Sequence, residues 1–269
     1  MSEGKRIDKT KFHSNHGENI ILSDDNTVAY RKASFSNALV FSDEPLQSGE
    51  IFLLEIEKDE KKWSGHMRIG LTQMDPKKLF KIRSTQFNSA SPNLMKMSSS
   101  WIFAMTESSN IWDSFEGITG TGYGEGIPFR EKKLVTDGIN VHTSKGILPC
   151  STLKPNIKDS SQNIMPTDTG SKVGVMYVPQ TGSDKAEMHF IINGEDQGVF
   201  SRDIPYKAGP LYAVVDVYGR TKQVRIVQLY NTSLTLQNEC RNVILRHTKK
   251  TGVDSLPLPK MLKKYLLYQ

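Results

Sequence analysis

Few residues of this chain have the type and spacing that enzyme chemistry or metal binding requires. The two cysteines, Cys150 and Cys240, stand far apart, whereas a structural zinc site needs closely grouped Cys or His ligands. His13 and His16 share one short segment, but such a pair ahead of a strand is more typical of capping or packing than of metal ligation. The patterns Gly-x-Ser-x-Gly, His-Glu-x-x-His and the P-loop are all absent. The sequence therefore predicts no catalytic residue, no metal site and no cofactor.

Two further segments have candidate binding residues. Residues 120–126 are glycine-rich, but Glu125 occupies the place of the third glycine in the phosphate-binding pattern G-x-G-x-x-G, so a loop is the preferred interpretation over a phosphate cradle. Trp63 and His66 lie in a predicted hairpin. They fit two interpretations, as core residues or as part of a rim that binds a substrate.

The charge of the chain is concentrated at its C-terminal end. The 269 residues carry a formal net charge of +6, and residues 231–269 contain seven Lys and Arg against two Asp and Glu. The rest of the chain has 28 basic and 27 acidic residues and is nearly neutral. A basic tail on a neutral body lacks the mixture of basic and aromatic residues that binds single strands, so we expect no nucleic-acid partner.

Composition indicates a globular protein that works inside the cell. With 37% hydrophobic and 24% charged residues, the chain can bury a sizeable core. Its apolar stretches are shorter than a membrane span, and residues 1–6 lack the apolar region of a secretory signal. We expect a cytoplasmic protein with no membrane partner and no disulfide framework.

The elements that would position any binding residues are mainly β-strands. Before residue 231, apolar residues recur at alternate positions in several short runs, as in strands with one buried face. These runs are 52–56, 67–71, 101–105, 173–177 and 188–192. Short strands separated by Gly, Pro, Asn and Asp predict a β-sandwich.

Three segments refine this prediction. Asn193-Gly194 is a strong signal for a two-residue hairpin, after which the chain resumes at Val199-Phe200. Residues 211–218 are apolar at nearly every position, which predicts a strand buried on both faces, and 224–230 form another predicted strand. Residues 81–100 are rich in Ser, Thr, Asn and Pro, which predicts a loop.

The tail begins with an apolar ladder at helical spacing. Leu236, Cys240 and Ile244 recur every four residues, with Val243 beside them, and Thr235 is a suitable N-cap. A helix of about a dozen residues is marginal in water, so this one must pack on its own domain or on a partner.

A proline-interrupted segment follows. Residues 256–259 read Leu-Pro-Leu-Pro, and each proline lacks an N–H and favours extended geometry in the residue before it. A second helix is predicted from about Lys260 to Tyr268, with Leu262, Tyr265 and Leu266 on one face. A turn before an ordinary surface helix would share the proline pattern.

The first tail pattern resembles the elongin-binding part of a SOCS box, the module that connects a substrate receptor to a cullin-type ubiquitin ligase. Such boxes have a small or hydroxyl residue, a Leu, a Cys four positions later and an aliphatic residue four beyond that. The matching residues are Thr235, Leu236, Cys240, Val243 and Ile244. The resemblance implies that they bind elongin C and, with it, elongin B.

The second tail pattern is similar to the cullin box of the cullin-5 class rather than to the shorter cullin-2 version. The matching residues are Val253, Leu256, Pro257, Leu258, Pro259, Leu262, Tyr265 and Leu266. The resemblance implies that they recruit cullin-5 with its RING subunit.

The body of the chain resembles the neuralized homology repeat, a β-sandwich related to the SPRY and concanavalin-like folds. A series of short motifs in the right order carries the resemblance. They are residues 12–13, 17–20, 33–35, 39–42, 45–46, 50–56, 63–66, 69–72, 75–76, 192–194, 198 and 210–219. The match is good over about 11–80 and 170–230, and poor over 81–170.

The two resemblances imply a mainly β protein with a small C-terminal α-helical module. We expect a flexible N-terminus at 1–10, the β-sandwich at 11–230 with a loop-rich region at 81–170, and the SOCS box at 231–269. Neuralized-type receptors commonly carry a RING finger, which two distant cysteines cannot build.

The implied function is that of a non-catalytic substrate-recognition subunit of an elongin B/C–cullin-5 ubiquitin ligase, which promotes ubiquitination and degradation of its target. The protein substrate itself cannot be read from the sequence. The alternative is an interaction scaffold with no ubiquitin role, which requires both tail motifs to be accidental.

Overall fold

The computed structural model of the chain describes residues 9–81, 94, 99–105, 134–156, 164–230, 244, 248 and 250–267. The chain divides into two compact units, Lys9–Leu229 and a second unit that contains Tyr230–Gln269, and each is considered by itself. The strands described in the first unit, in chain order, are β1 Ile20–Ser23, β2 Val28–Arg31, β3 Leu39–Phe41, β4 Phe52–Asp59, β5 Arg68–Thr72, β6 Ser100–Ala104, β7 Val135–Thr136, β8 Asn140–Thr143, β9 Gly146–Pro149, β10 Lys172–Pro179, β11 Ala186–Ile192, β12 Glu195–Ile204, β13 Tyr212–Asp216 and β14 Thr221–Ile226. A 3-10 helix spans Pro76–Lys81, and a one-turn α-helix spans Cys150–Leu153.

These strands form three antiparallel sheets. The largest has the spatial order β1-β2-β14-β4-β10-β11-β12, the second has the order β3-β13-β5-β6, and the smallest has the order β7-β8-β9. Strands far apart in the chain are therefore neighbours, as β14 is between β2 and β4. This is the mainly β architecture that the sequence predicts.

The hydrophobic core is one cluster to which both larger sheets contribute. Alternate residues of β4 and β10, among them Phe52, Leu54 and Val175, belong to it, which confirms their predicted period of two. Phe190 packs edge-to-face on Phe103 and on Phe200 within the same cluster, which ties the two sheets together. Each fully buried large apolar side chain contributes roughly 1.5–3 kcal/mol of transfer free energy.

Strand β13 is buried on both faces, as its continuous apolar sequence predicts. Ala213 and Val215 belong to the main core, while Val214 packs in a second cluster on the other face of the sheet. The other buried members of that second cluster are Leu39, Phe41, Leu94 and Ile102.

The hairpin predicted at Asn193-Gly194 is confirmed. Ile192 pairs with Glu195, so the loop has two residues, and both have positive φ, 51° at Asn193 and 89° at Gly194. That is the conformation of a type I′ turn, whose twist matches the twist of the strands it joins.

The region predicted to match poorly contains the smallest sheet, and polar contacts attach this region to residues in or just before strands of the largest sheet. The Lys145 ammonium lies 2.6 Å from the Glu50 carboxylate. The Lys172 ammonium donates to the carbonyl oxygen of Thr152 over 3.0 Å. Strand β6 belongs to the second sheet, where it pairs with β5.

The prediction that Trp63 and His66 lie in a hairpin is wrong. The strands on either side of them, β4 and β5, belong to different sheets, so the segment between them crosses from one sheet to the other. The sequence suggested a hairpin because two successive strands with a short connection have the same residue pattern whether or not they pair with each other. The strand predicted over 224–230 is also shifted, since β14 begins at Thr221 and its ladder ends at Ile226.

The described part of the second unit contains two short helical segments. A 3-10 helix spans Lys250–Ser255, and an α-helix spans Lys260–Leu267, in agreement with the predicted second helix. The carbonyl oxygen of Pro259 accepts hydrogen bonds from the amides of Leu262 and Lys263, so the helix begins directly after the second proline. The two segments contact each other.

A buried ion pair joins two neighbouring strands, and breaking it tests the packing of the second sheet. Arg68 on β5 and Asp216 on β13 are register partners, with Nη1 and Oδ2 3.1 Å apart and both side chains buried. Asp216→Asn removes the carboxylate charge that faces the buried Arg68 guanidinium at 3.1 Å, so we expect the free energy of unfolding in urea to fall by about 3–5 kcal/mol.

The double variant Arg68→Met with Asp216→Leu removes both charges and should recover most of that loss. If Asp216→Asn is as stable as the unmodified chain, the pair does not anchor these strands.

Candidate interaction surfaces

Three loops bring aromatic side chains together on the surface of the first unit. Phe35 lies between β2 and β3, Trp63 between β4 and β5, and Tyr218 between β13 and β14. The Phe35 ring centroid is 5.2 Å from that of Trp63, in a tilted arrangement, and 5.8 Å from that of Tyr218, edge-to-face. We call these three residues the aromatic cluster.

The aromatic cluster is partly open to solvent. Phe35 is 41% exposed, and Trp63 and Tyr218 are half-buried. Trp63 is not a member of the main core cluster, so its half-buried position favours the rim interpretation over a core position. His66, the other predicted candidate, is half-buried in the same loop. Sequence reasoning did not single out Phe35 or Tyr218 as candidate binding residues, because Tyr218 stood at the end of the predicted strand 211–218 and Phe35 entered only as part of a family motif.

Close backbone contacts hold the three loops together. The amide of Gly219 donates to the carbonyl oxygen of Phe35 over 3.2 Å, and the amide of Arg220 donates to that of Gly65 over 2.8 Å. Gly219 has a φ of +60°, and a Cβ there would lie 2.4 Å from the carbonyl oxygen of Gly65. Only glycine allows this approach, because any side chain would collide with the neighbouring loop.

A fully buried arginine lies beneath these loops. Arg31, at the end of β2, is 0% exposed, and its Nη2 donates to the carbonyl oxygens of Gly219 and Thr221. Its guanidinium also lies 3.6 Å from the Glu60 carboxylate. Burial lowers the pKa of Arg31, while the charge of Glu60 opposes that shift. Arg31 thus connects two of the three loops that carry the aromatic cluster.

Cations cover two of the aromatic faces. The guanidinium carbon of Arg68 lies 3.9 Å from the Tyr218 ring centroid, and the Lys62 ammonium lies 5.4 Å from that of Trp63. Such contacts stabilise by about 0.5–2 kcal/mol each, more where the cation is desolvated. Because Arg68 is also held by Asp216, the Tyr218 ring is coupled to the buried ion pair described above.

Glu60 is the acidic centre of this region. Its carboxylate lies 3.0 Å from the Lys222 ammonium and 3.1 Å from that of Lys62, and it accepts a hydrogen bond from Trp63 Nε1 over 3.2 Å. The hydrogen bonds from Lys222 and Lys62 lower the pKa of Glu60 to about 2, against the opposing effect of burial.

A polar cluster on β11 and β12 has catalytic residue types without access to a substrate. His189 Nδ1 lies 3.2 Å from Asp196 Oδ1, and Glu187 lies 3.9 Å from His189 Nε2, all of them buried. Burial raises the pKa of Asp196, but hydrogen bonds from His189 and from the amides of Gly198 and Leu134 outweigh it, so the net shift is downward. Because the bond from Leu134 attaches the segment before β7 to β12, we assign the cluster a structural role.

The remaining sequence candidates for chemistry are local structural groups. His13 Nδ1 accepts a hydrogen bond from the amide of Asn15, and the Cys150 thiol lies 3.3 Å from the Thr136 hydroxyl. Across the residues that the structure describes, no three His, Cys, Asp or Glu side chains are grouped so as to hold a metal ion. None of the described helices is both long and apolar enough to cross a membrane.

The tail residues predicted to bind partners fall into three groups. Thr235, Leu236, Cys240 and Val243 lie outside the described residues. The glycine-rich segment 120–126, which belongs to the first unit, also lies outside them. Ile244 has helical backbone and is half-buried. The residues predicted for the cullin box all lie within the described part of the chain, and they differ in exposure. Val253 and Leu266 are buried, and Leu256 and Leu258 are half-buried. Pro257, Pro259 and Leu262 are exposed, and Tyr265 lies in the helix Lys260–Leu267.

Replacing Glu60 tests the charge network beneath the aromatic cluster. A folded-state pKa below the ordinary value of 4.5 means that the charged carboxylate stabilises the fold above that pH, and that this stability is lost as the pH falls through about 2. Glu60→Gln should therefore be less stable than the unmodified chain near neutral pH, by about 1 kcal/mol or less.

The two proteins should converge in stability between pH 4.5 and about 2, measured by thermal melting. Glu18→Gln, at an exposed position outside this charge network, is the matched control. A gap for Glu60→Gln that stays constant over this range would contradict the role of the charge.

Comparison with known proteins agrees with this two-part organisation. The family model described as Neuralized matches residues 12–228, and the model described as SOCS box matches residues 232–267. The mouse protein "Neuralized-like protein 2" is 36% identical over 97% of this chain and 92% of its own length. The mouse "E3 ubiquitin-protein ligase NEURL3" is 31% identical over 36% of this chain and 37% of its own length.

The fold is shared with a solved structure. The crystal structure of the Drosophila melanogaster neuralized-NHR1 domain superposes with a TM-score of 0.52 at 20% identity, over 82% of this chain and 99% of that one. The predicted neuralized-type β-sandwich and C-terminal SOCS box are thus confirmed. With a Neuralized match across most of its length, the chain belongs to the neuralized family and ends in a SOCS box.

Proposed function

We propose that this protein is the substrate-recognition subunit of an elongin B/C–cullin-5 ubiquitin ligase and works in the cytoplasm. The observation that carries the proposal is the order of the two modules, a Neuralized domain over 12–228 followed directly by a SOCS box over 232–267. This order supports a ubiquitin-ligase adaptor in general. The identity of the cullin rests on the sequence of the second tail pattern.

The tail has features expected of a segment that binds partners. In the helix Lys260–Leu267, Met261 is 82% exposed and Leu262 is 44% exposed. Adjacent apolar side chains in solvent on a short helix favour a protein contact. Met261 was not among the predicted residues, and we add it to the proposed cullin-binding surface.

The β-sandwich supplies the other half of the proposed function. Its core closes within the unit Lys9–Leu229, so its loops are presented on a rigid frame. In the proposed mechanism, the sandwich holds the target and the tail holds the ligase. The chain itself performs no chemistry and accelerates transfer by placing the target near the ubiquitin-loaded enzyme.

The elongin contact is tested with two substitutions in the first tail pattern. Leu236→Ala with Cys240→Ala removes two apolar anchors, each worth about 1.5–3 kcal/mol when fully buried. We expect co-purification with elongin B and elongin C to fall by orders of magnitude, while the circular dichroism of the β-sandwich is unchanged.

The matched control is Asn238→Ala with Asn242→Ala, because these positions lie on the opposite face of the predicted helix. The control should retain elongin. If Leu236→Ala with Cys240→Ala also retains it, the adaptor role fails and a scaffold without a ubiquitin role becomes the better explanation.

The cullin contact is tested separately. Replacing residues 256–259 by alanine should leave elongin binding intact and abolish cullin-5 recruitment, because the two motifs occupy separate segments and should act additively. The measurement is a pull-down with purified elongin B/C and either cullin-5 or cullin-2, each with its RING subunit. Recruitment of cullin-2 rather than cullin-5 by the unmodified chain would refute the assignment.

A further inference from the structure

We infer that the aromatic cluster is the surface that takes the substrate, and that its ligand is an acidic, extended protein segment with an apolar side chain. The inference rests on the proposed function, which it deepens by assigning a surface and a ligand chemistry to substrate recognition. Three features of the described residues carry it: an exposed apolar contact, a local surplus of positive charge, and cations that already cover one face of Trp63 and one face of Tyr218.

The apolar contact is built in advance by the fold. Phe35, Trp63 and Tyr218 come from three loops, yet backbone hydrogen bonds and the close approach at Gly219 fix those loops to one another. Phe35 is exposed without belonging to the core. Preorganised aromatic side chains lose little conformational entropy on binding, which makes them effective anchors for a partner.

The residues beside the aromatic cluster are small. Ala33, Ser34, Ser64 and Gly65 flank the rings and are exposed. They leave room for a polypeptide backbone to approach Phe35 and the ring edges closely. A narrow apolar contact of this kind fits one side chain of an extended segment better than the broad face of a folded domain.

The charge around the aromatic cluster is positive, although the body of the chain is nearly neutral. The three loops, with their flanking residues 32–37, 60–67 and 217–220, carry four basic side chains and one acidic one. The basic residues are Lys32, Lys61, Lys62 and Arg220, and the acidic residue is Glu60.

Acidic groups neutralise only part of this surface. The Arg220 guanidinium lies 2.7 Å from the carboxylate of Asp59, which stands just outside these ranges. Glu60 is already engaged by Lys62, Lys222 and Arg31. Lys32 and Lys61 are exposed, and within the described part of the chain neither forms an ion pair. Two uncompensated ammonium groups beside an apolar contact complement a segment rich in Asp and Glu.

Aromatic and basic residues together could also bind a single-stranded nucleic acid, but the ring geometry disfavours it. Base stacking needs open ring faces. The Tyr218 face is covered by the Arg68 guanidinium at 3.9 Å and the Trp63 face by the Lys62 ammonium at 5.4 Å. Phe35 meets Tyr218 at an interplanar angle of 89°, so these two rings form no parallel slot.

The test selects ligands without assuming their sequence. The full-length chain is used to enrich binders from a phage-displayed library of random peptides, and the enriched peptides are synthesised and their affinities measured by fluorescence anisotropy. We expect enriched peptides to contain more Asp and Glu than the starting library and to share one large apolar residue. Their affinity should fall with added salt.

Two variants then locate the binding site, each with a matched control elsewhere on the same unit. Phe35→Ala should weaken binding about tenfold or more, whereas Ile21→Ala, at another exposed apolar position, should not. Lys32→Glu with Lys61→Glu should weaken binding about tenfold at low salt, whereas Lys77→Glu with Lys78→Glu should not. Thermal melting of each variant verifies that it is folded.

Several outcomes would overturn the inference. They are no enrichment, enriched peptides without an acidic bias, unchanged affinity in both variants, or displacement of the peptide by a single-stranded oligonucleotide. Elongin co-purification is measured on the same variants and should be unaffected. Peptide binding without elongin binding would preserve this inference and refute the proposed function. Elongin binding without peptide binding would preserve the proposed function and refute this inference.

Discussion

Strand β13 is buried on both faces, so the carboxylate of Asp216 at its end cannot be solvated. A buried charge is tolerated only when it is paired, and Arg68 on the adjacent strand supplies the partner at 3.1 Å. The same guanidinium covers the face of Tyr218 two residues beyond Asp216. The position of the half-buried Tyr218 ring therefore follows from the burial of a central strand, through one ion pair.

A second constraint acts on the loops from below. Arg31 is buried with its guanidinium against the carbonyl oxygens of Gly219 and Thr221 and near Glu60. These contacts supply hydrogen-bond donors to two backbone carbonyl oxygens at the connection from β13 to β14. Together with the close approach at Gly219, they make the three-loop surface a rigid part of the sandwich rather than a set of independent loops. A rigid surface suits recognition, because little freedom remains to be lost on binding.

The two proposed interaction surfaces differ in their physics. The aromatic cluster is preformed by a large sandwich core, whereas the described tail has only short helical segments with adjacent apolar side chains at Met261 and Leu262 in solvent. Short helices gain most of their stability from packing, so the tail depends on partners more than the sandwich does. This difference matches a division in which the sandwich selects the target and the tail joins the ligase.

Local sequence determined much of this architecture. The alternation in β4 and β10, the continuous apolar run of β13, the Asn193-Gly194 turn and the helix after Pro259 each follow from the period, the propensity or the φ angle that a few neighbouring residues require. The SOCS box was likewise readable, because short linear patterns in the sequence define it.

Only the tertiary structure decided which distant segments meet. Local pattern does not show whether successive strands pair, so β4 and β5 were mistaken for a hairpin although they lie in different sheets. For the same reason, Trp63 could be identified from the sequence as a candidate binding residue. Its contacts with Phe35 and the position of Tyr218 and of the buried Arg31 could not be identified in this way. Their convergence depends on the strand order and on packing across the chain, which no local residue pattern encodes.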